Sequence, residues 1–118
     1  MTKIAVVVLA DTETHADLGR IANALELAKE AKESGDEVQL IFDGGGTRWV
    51  PALEDSGHLL HKLYSSVRDV VAGACAYCAA AFEVKQQVQE AGVKLISDYE
   101  GHPSLRGLIV DGYSVVTF

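Results

Sequence analysis

The 118-residue chain has 48% hydrophobic and 23% charged residues and a formal net charge of −7, the composition of one folded domain rather than a disordered segment. That acidity repels phosphate backbones and anionic lipid surfaces, so neither nucleic acid nor a membrane is expected as a partner. The first apolar run, Ile4 to Ala10, is too short to span a bilayer, and it lacks a basic leader and a small-residue cleavage site. The expectation is a cytoplasmic protein whose two cysteines are reduced thiols.

Lys3 to Leu9 is a β-branched run that reads as a strand covered on both faces. Thr14 to Ser34 reads as a helix, with Leu18, Ile21, Leu25 and Ala28 on one face and Gly35 as its stop. Thr14 with Asp17 approximates a capping box. Glu37 to Phe42 is a second strand, followed by the glycine run Gly44-Gly45-Gly46 and by Pro51, which is placed to open a short helix. Leu60, Leu63 and Val67 mark a helix from Leu59 to Ser66, and Asp69 to Ala74 is a third strand. One helix is expected from Ala76 to Glu90, with Ala81, Val84, Val88 and Ala91 aligned and Gly92 ending it. Val93 to Ile96 is a fourth strand, Pro103 to Val110 a short helix, and Tyr113 to Phe118 a terminal strand.

Alternating strands and helices imply a parallel sheet with helices on both faces, because parallel strands need crossover connections. Ligands of such sheets lie beyond the carboxyl ends of the strands. Four loops gather there: Ala10 to Thr14, Asp43 to Trp49, Ala74 to Cys78, and Ser97 to His102.

Cys75-Ala76-Tyr77-Cys78 has C-x-x-C spacing at the handover from the third strand to a helix. Cys78 falls near the apolar stripe of that helix and reads as a buried, inert thiol or a resolving one. Cys75 precedes the first turn, where unpaired backbone N–H groups and the helix dipole favour thiolate, the nucleophilic form. Cys75 is therefore the first candidate for chemistry, as a sulfur carrier or as one half of a redox dithiol. Zinc needs four ligands and the chain offers two thiolates, which His15 or His102 would have to supplement, so no metal and no cofactor are expected.

His102, just before Pro103, is a candidate helix cap or a proton donor near Cys75. His15 lies in the first loop at the same edge. Gly44 and Gly45 offer backbone N–H groups that could cradle an anion, although a tight turn is the plainer reading. Trp49 is a core residue or a pocket wall, with Arg48 beside it. Asp11 and Asp43 end the first two strands, and each is more often a turn former than a catalyst; Asp11 is also a candidate ligand contact at that edge. No Walker loop, dinucleotide fingerprint or hydrolase triad is present.

The turn Gly73-Ala74-Cys75-Ala76-Tyr77-Cys78-Ala79, the opening Val7-Val8-Leu9-Ala10-Asp11, the loop Phe42-Asp43-Gly44 and the closing Gly112-Tyr113 together resemble the DsrE/DsrF-like family. The second cysteine is similar to that of YchN-like members, Phe82-Glu83 stands where many relatives carry Arg-Gly, and the segments Gly44-Gly45-Gly46-Thr47-Arg48-Trp49 and Gly101-His102-Pro103-Ser104 resemble those of a less characterised branch. The resemblance implies a single three-layer α/β/α domain on a mainly parallel five-stranded sheet. It also implies a trimer or hexamer, and a persulfide on Cys75 passed between sulfur donor and acceptor proteins. A small-ligand binding module and a C-x-x-C dithiol redox protein are the alternatives.

Overall fold

In a computed structural model, which describes residues 2–118, the apolar runs become five strands. These are β1 (Lys3–Val8), β2 (Glu37–Phe42), β3 (Val71–Cys75), β4 (Leu95–Ile96) and β5 (Ser114–Thr117). They form one sheet in the order β4-β3-β2-β1-β5, and every pairing is parallel. The helices between them are α1 (His15–Glu33), α2 (Trp49–Glu54), α3 (His61–Ser66), α4 (Ala76–Ala81), α5 (Lys85–Glu90) and α6 (Leu105–Val110). The fold is thus α/β, as the alternating pattern implies.

From β1 to β4 the chain steps one way across the sheet, and it then returns past β1 to β5. Right-handed crossovers place the connecting helix on a face set by the direction of the step. The reversal therefore puts α6 opposite the helices that precede it. The packing agrees. Val6, Val8, Leu40, Phe42 and Ala74 pack with Ile21, Leu25, Leu53, Tyr64 and Val88 in one cluster. Val7, Ile41 and Ile96 pack with Leu105 and Leu108 in a second. Among the described residues the second face has one short helix over it, and Ile109 and Val110 on that helix are 61% and 69% exposed.

The expected helix from Ala76 to Glu90 is two helices. After α4, Glu83 takes a φ of 62°. Its N–H donates to the Ala80 carbonyl at 3.1 Å, and the Val84 N–H donates to the Ala79 carbonyl at 2.8 Å. This is a Schellman stop with glutamate in the place that glycine usually takes. Other boundaries shift as well. Residues Arg68–Val70 form a single 3₁₀ turn ahead of β3, and β4 is two residues long. Pro51 is the third residue of α2 rather than its opener, because a 3₁₀ turn over Gly44–Arg48 leads straight into that helix. Ser104, not His102, caps α6 by accepting the Gly107 N–H at 3.0 Å, and the helix begins at Leu105 rather than at Pro103. Thr14 does cap α1, accepting the Asp17 N–H at 3.1 Å.

Candidate functional site

Three consecutive strand ends deliver one cluster. Asp43 follows β2, Cys75 closes β3 and starts α4, and His102 lies six residues beyond β4. Cys78 comes from the first turn of α4. The Cys75 Sγ lies 3.2 Å from His102 Nδ1 and accepts the Cys78 backbone N–H at 3.3 Å. The Cys78 Sγ lies 3.5 Å from Asp43 Oδ1 and 3.8 Å from His102 Nδ1. Asp43 is held in turn by the Gly44 N–H, which it accepts at 2.9 Å.

His102 reaches Cys75 because of the turn that precedes it. The Tyr99 N–H donates to the His102 carbonyl at 2.9 Å, and the His102 N–H donates back to Tyr99 at 2.8 Å. The two residues between, Glu100 and Gly101, have φ of 48° and 84°. Positive φ at both central positions is the signature of a type I′ turn. The Tyr77 N–H then donates to the Gly101 carbonyl at 2.9 Å, tying the turn to α4. The Tyr77 ring lies on the His102 imidazole at 4.9 Å between centroids. A groove of about 530 Å³ opens beside this turn, lined by Tyr99, Pro103, Ser104, Leu105 and Arg106.

The electrostatics of Cys75 differ from the sequence expectation. Its residue is 0% exposed and Cys78 only 9%. Burial, the Cys78 thiol beside it and the negative charge of Asp43 together push the Cys75 thiol up to about 12, and the Cys78 backbone N–H only partly offsets them. A helix start favours thiolate through a few N–H groups, but α4 has six residues, so its dipole is small and desolvation wins. Cys75 therefore rests as a thiol. Its two nearby acceptors are His102 Nδ1 and, at 3.7 Å, the Gly101 carbonyl.

The remaining candidates lie elsewhere. Trp49 is buried, and its indole N–H donates to the Ala10 carbonyl at 2.8 Å, so it packs the first loop rather than walling a pocket. Asp11 pairs with Arg48 at 3.4 Å, and Glu13 pairs with the same guanidinium at 3.0 Å. His15 is exposed as the first residue of α1 and takes no part in the cluster. The Gly44 N–H donates to the Asp43 side chain, so it is not free to cradle an anion, and Gly45 is buried against Asp11, where an added Cβ would stand 3.0 Å from the Asp11 Cβ. Gly46 serves close packing instead: a Cβ there would stand 2.1 Å from the Val8 carbonyl oxygen. Sequence reasoning passed over Asp43 as a site residue. The available signal was its position at a strand end beside Cys75 and His102 in the same set of loops.

No family model matches the chain. The uncharacterized protein MJ0733 of Methanocaldococcus jannaschii is 34% identical over 94 residues, which are 80% of this chain and 76% of that protein. The chain belongs to the MJ0733 family. Among solved structures, the conserved protein of unknown function BT1422 from Bacteroides thetaiotaomicron superposes with a TM-score of 0.65 over 97% of this chain and 94% of that one. At 15% identity that likeness shows a shared fold for this member of the MJ0733 family and nothing further. Among the described residues, no helix is long and apolar enough to cross a membrane.

Proposed function

We propose that this protein handles sulfur in the cytoplasm, carrying sulfane sulfur as a persulfide on Cys75 and passing it to an acceptor protein. The observation that carries the reading is the 3.2 Å approach of His102 Nδ1 to the Cys75 Sγ at a strand-to-helix turn. Because Cys75 rests protonated, it needs a base in contact, and His102 is that base. The Cys75 thiol gives its proton to His102 and attacks the outer sulfur of a donor persulfide. The donor S–S bond breaks, and the leaving thiolate takes the proton from His102. Cys75 is left as a persulfide with no net oxidation. The neighbouring Cys78 N–H, at 3.3 Å from the sulfur, steadies developing negative charge there. A kinship with DsrE-like sulfur-relay proteins belongs to the same proposal, as does a trimeric or hexameric assembly. The exposed Ile109 and Val110 on α6 favour such an assembly.

The test is mass spectrometry of the reduced protein after incubation with a persulfide donor. Wild type gains mass in steps of one sulfur atom, Cys75→Ser gains none, and Cys78→Ser still loads. His102→Ala loads about 10²-fold more slowly, the usual contribution of a general base. Undiminished loading in both single cysteine variants defeats the assignment.

A second reading, dithiol redox, is favoured by one observation: the Cys75 and Cys78 sulfurs lie within 4.8 Å of each other. Its sign is a Cys75–Cys78 disulfide that forms and breaks reversibly at cytosolic potentials.

A further inference from the structure

The cluster has a property that sulfur carriage does not use. The donor atoms of Asp43, Cys75, Cys78 and His102 all lie within 4.8 Å of one another. Two are sulfurs, one is an imidazole nitrogen and one is a carboxylate oxygen. We propose that these four side chains form a mononuclear, four-coordinate site for a divalent transition metal, with Zn2+ as the preferred ion. The inference stands on this geometry and does not depend on the sulfur-carrier reading.

Bond lengths of about 2.3 Å to sulfur and 2.0–2.2 Å to nitrogen and oxygen imply a tetrahedron with edges of roughly 3.4–3.8 Å. The measured edges are 3.2 Å from Cys75 Sγ to His102 Nδ1, 3.5 Å from Cys78 Sγ to Asp43 Oδ1, and 3.8 Å from Cys78 Sγ to His102 Nδ1. The other three edges lie within 4.8 Å, so inward shifts of up to about 1 Å close the site. Both sulfurs are buried and both other ligands half-buried, so water competes little. Among the described residues, no lysine or arginine pairs with Asp43, which leaves its charge for a cation. The donor set also selects. Thiolates argue against Mg2+ and Ca2+, which take oxygen, while the carboxylate argues against the purely thiophilic Cu(I). C-x-x-C alone offers too few ligands. The fold adds the missing two from the ends of neighbouring strands.

On binding, two S–H bonds release their protons to solvent, two metal–sulfur bonds form, and no electrons are transferred. With all four positions filled by protein, the ion has no open position for substrate. It also occupies the sulfur that would carry a persulfide, so metal and sulfane sulfur exclude each other.

The experiment uses the full chain, reduced and stripped with a chelator, and titrates it with Co2+ and then Zn2+. The expected result is one equivalent of Co2+, with a thiolate-to-cobalt charge-transfer band and intense tetrahedral d–d absorption, both abolished by one equivalent of Zn2+. Asp43→Asn, which keeps the cap on Gly44, and Cys78→Ala each weaken binding about tenfold or more while the far-ultraviolet circular dichroism stays native. Failure of wild type to take up Co2+, uptake without the charge-transfer band, or wild-type affinity in both variants overturns the proposal. Sulfur loading of the stripped protein is measured separately. Metal uptake by a protein that cannot load sulfur defeats only the carrier reading; loading without metal uptake defeats only this one.

Discussion

The resting state of Cys75 can be tested by its rate of alkylation against pH. Burial, the Cys78 thiol and the Asp43 charge move its pKa from 9.0 to about 12. At pH 8 an ordinary thiol of pKa 9 is about one-tenth ionised, whereas one of pKa 12 is ionised about one part in 10⁴. Ionisation alone thus slows reaction about 10³-fold. A more basic thiolate is also a better nucleophile; with a Brønsted slope of about 0.4–0.5, the rise in pKa from 9 to about 12 returns a factor of roughly 15–30. The net expectation is alkylation by iodoacetamide roughly 30–60-fold slower than in the urea-unfolded chain, before any loss from restricted access. The rate should climb about tenfold per pH unit from pH 8 towards 11, with no plateau. Tandem mass spectrometry of the alkylated peptide separates Cys75 from Cys78 in the wild-type protein. A plateau between pH 6 and 8, at or above the unfolded rate, would refute the buried thiol and reveal a standing thiolate–imidazolium pair with His102. The same shift has a stability sign. The unfolded chain loses this proton first, so the fold loses stability as pH rises between 9 and about 12.

Three further outcomes follow from the backbone and the surface. Glu83→Gly should stabilise the protein by about 1 kcal/mol, raising Tm by about 4 °C in thermal denaturation, because glycine meets the left-handed position between α4 and α5 without strain. Gly101→Ala should cost about 1–2 kcal/mol in urea unfolding, since its φ is 84° and a Cβ would press on the Tyr77 Cβ at 3.3 Å. It should also slow sulfur loading, because the turn that aims His102 is displaced. If the proposed trimer or hexamer packs through α6, Val110→Lys should yield a smaller species than wild type in light scattering while leaving circular dichroism unchanged; equal masses would exclude α6 from any interface.

The fold was legible because its strands are β-branched runs and its first helix carries a cap at Thr14 and a stop at Gly35. The break at Glu83 was not, since Ala76 to Glu90 is rich in helix formers and the left-handed residue is not glycine. The meeting of Cys75 and Cys78 with one another is written in their spacing. The approach of His102 to Cys75 was expected from the loops they share at the strand ends; the type I′ turn that delivers it was not, because its first central residue, Glu100, gives no turn signal. The thiolate expected at Cys75 failed for a different reason. A local rule about helix starts counts N–H groups, whereas the pKa is set by how completely three layers of structure remove water from that sulfur. Asp43 was legible as a turn former, which it is, and its second contact with Cys78 depends on strand order alone.

That strand order sets the dimensions of the cluster. Asp43, Cys75 and His102 come from the ends of β2, β3 and β4, which lie side by side. Neighbouring strands repeat at about 4.8 Å, and the hydrogen-bond ladder resists any change in that spacing. The gap between Asp43 and Cys75 is therefore inherited from the pleated lattice, whereas His102 is placed by the turn that the Tyr77 N–H ties to α4. Relatives that keep the sheet could exchange any one donor at a strand tip and alter what is held there, while the span across the site stays the same.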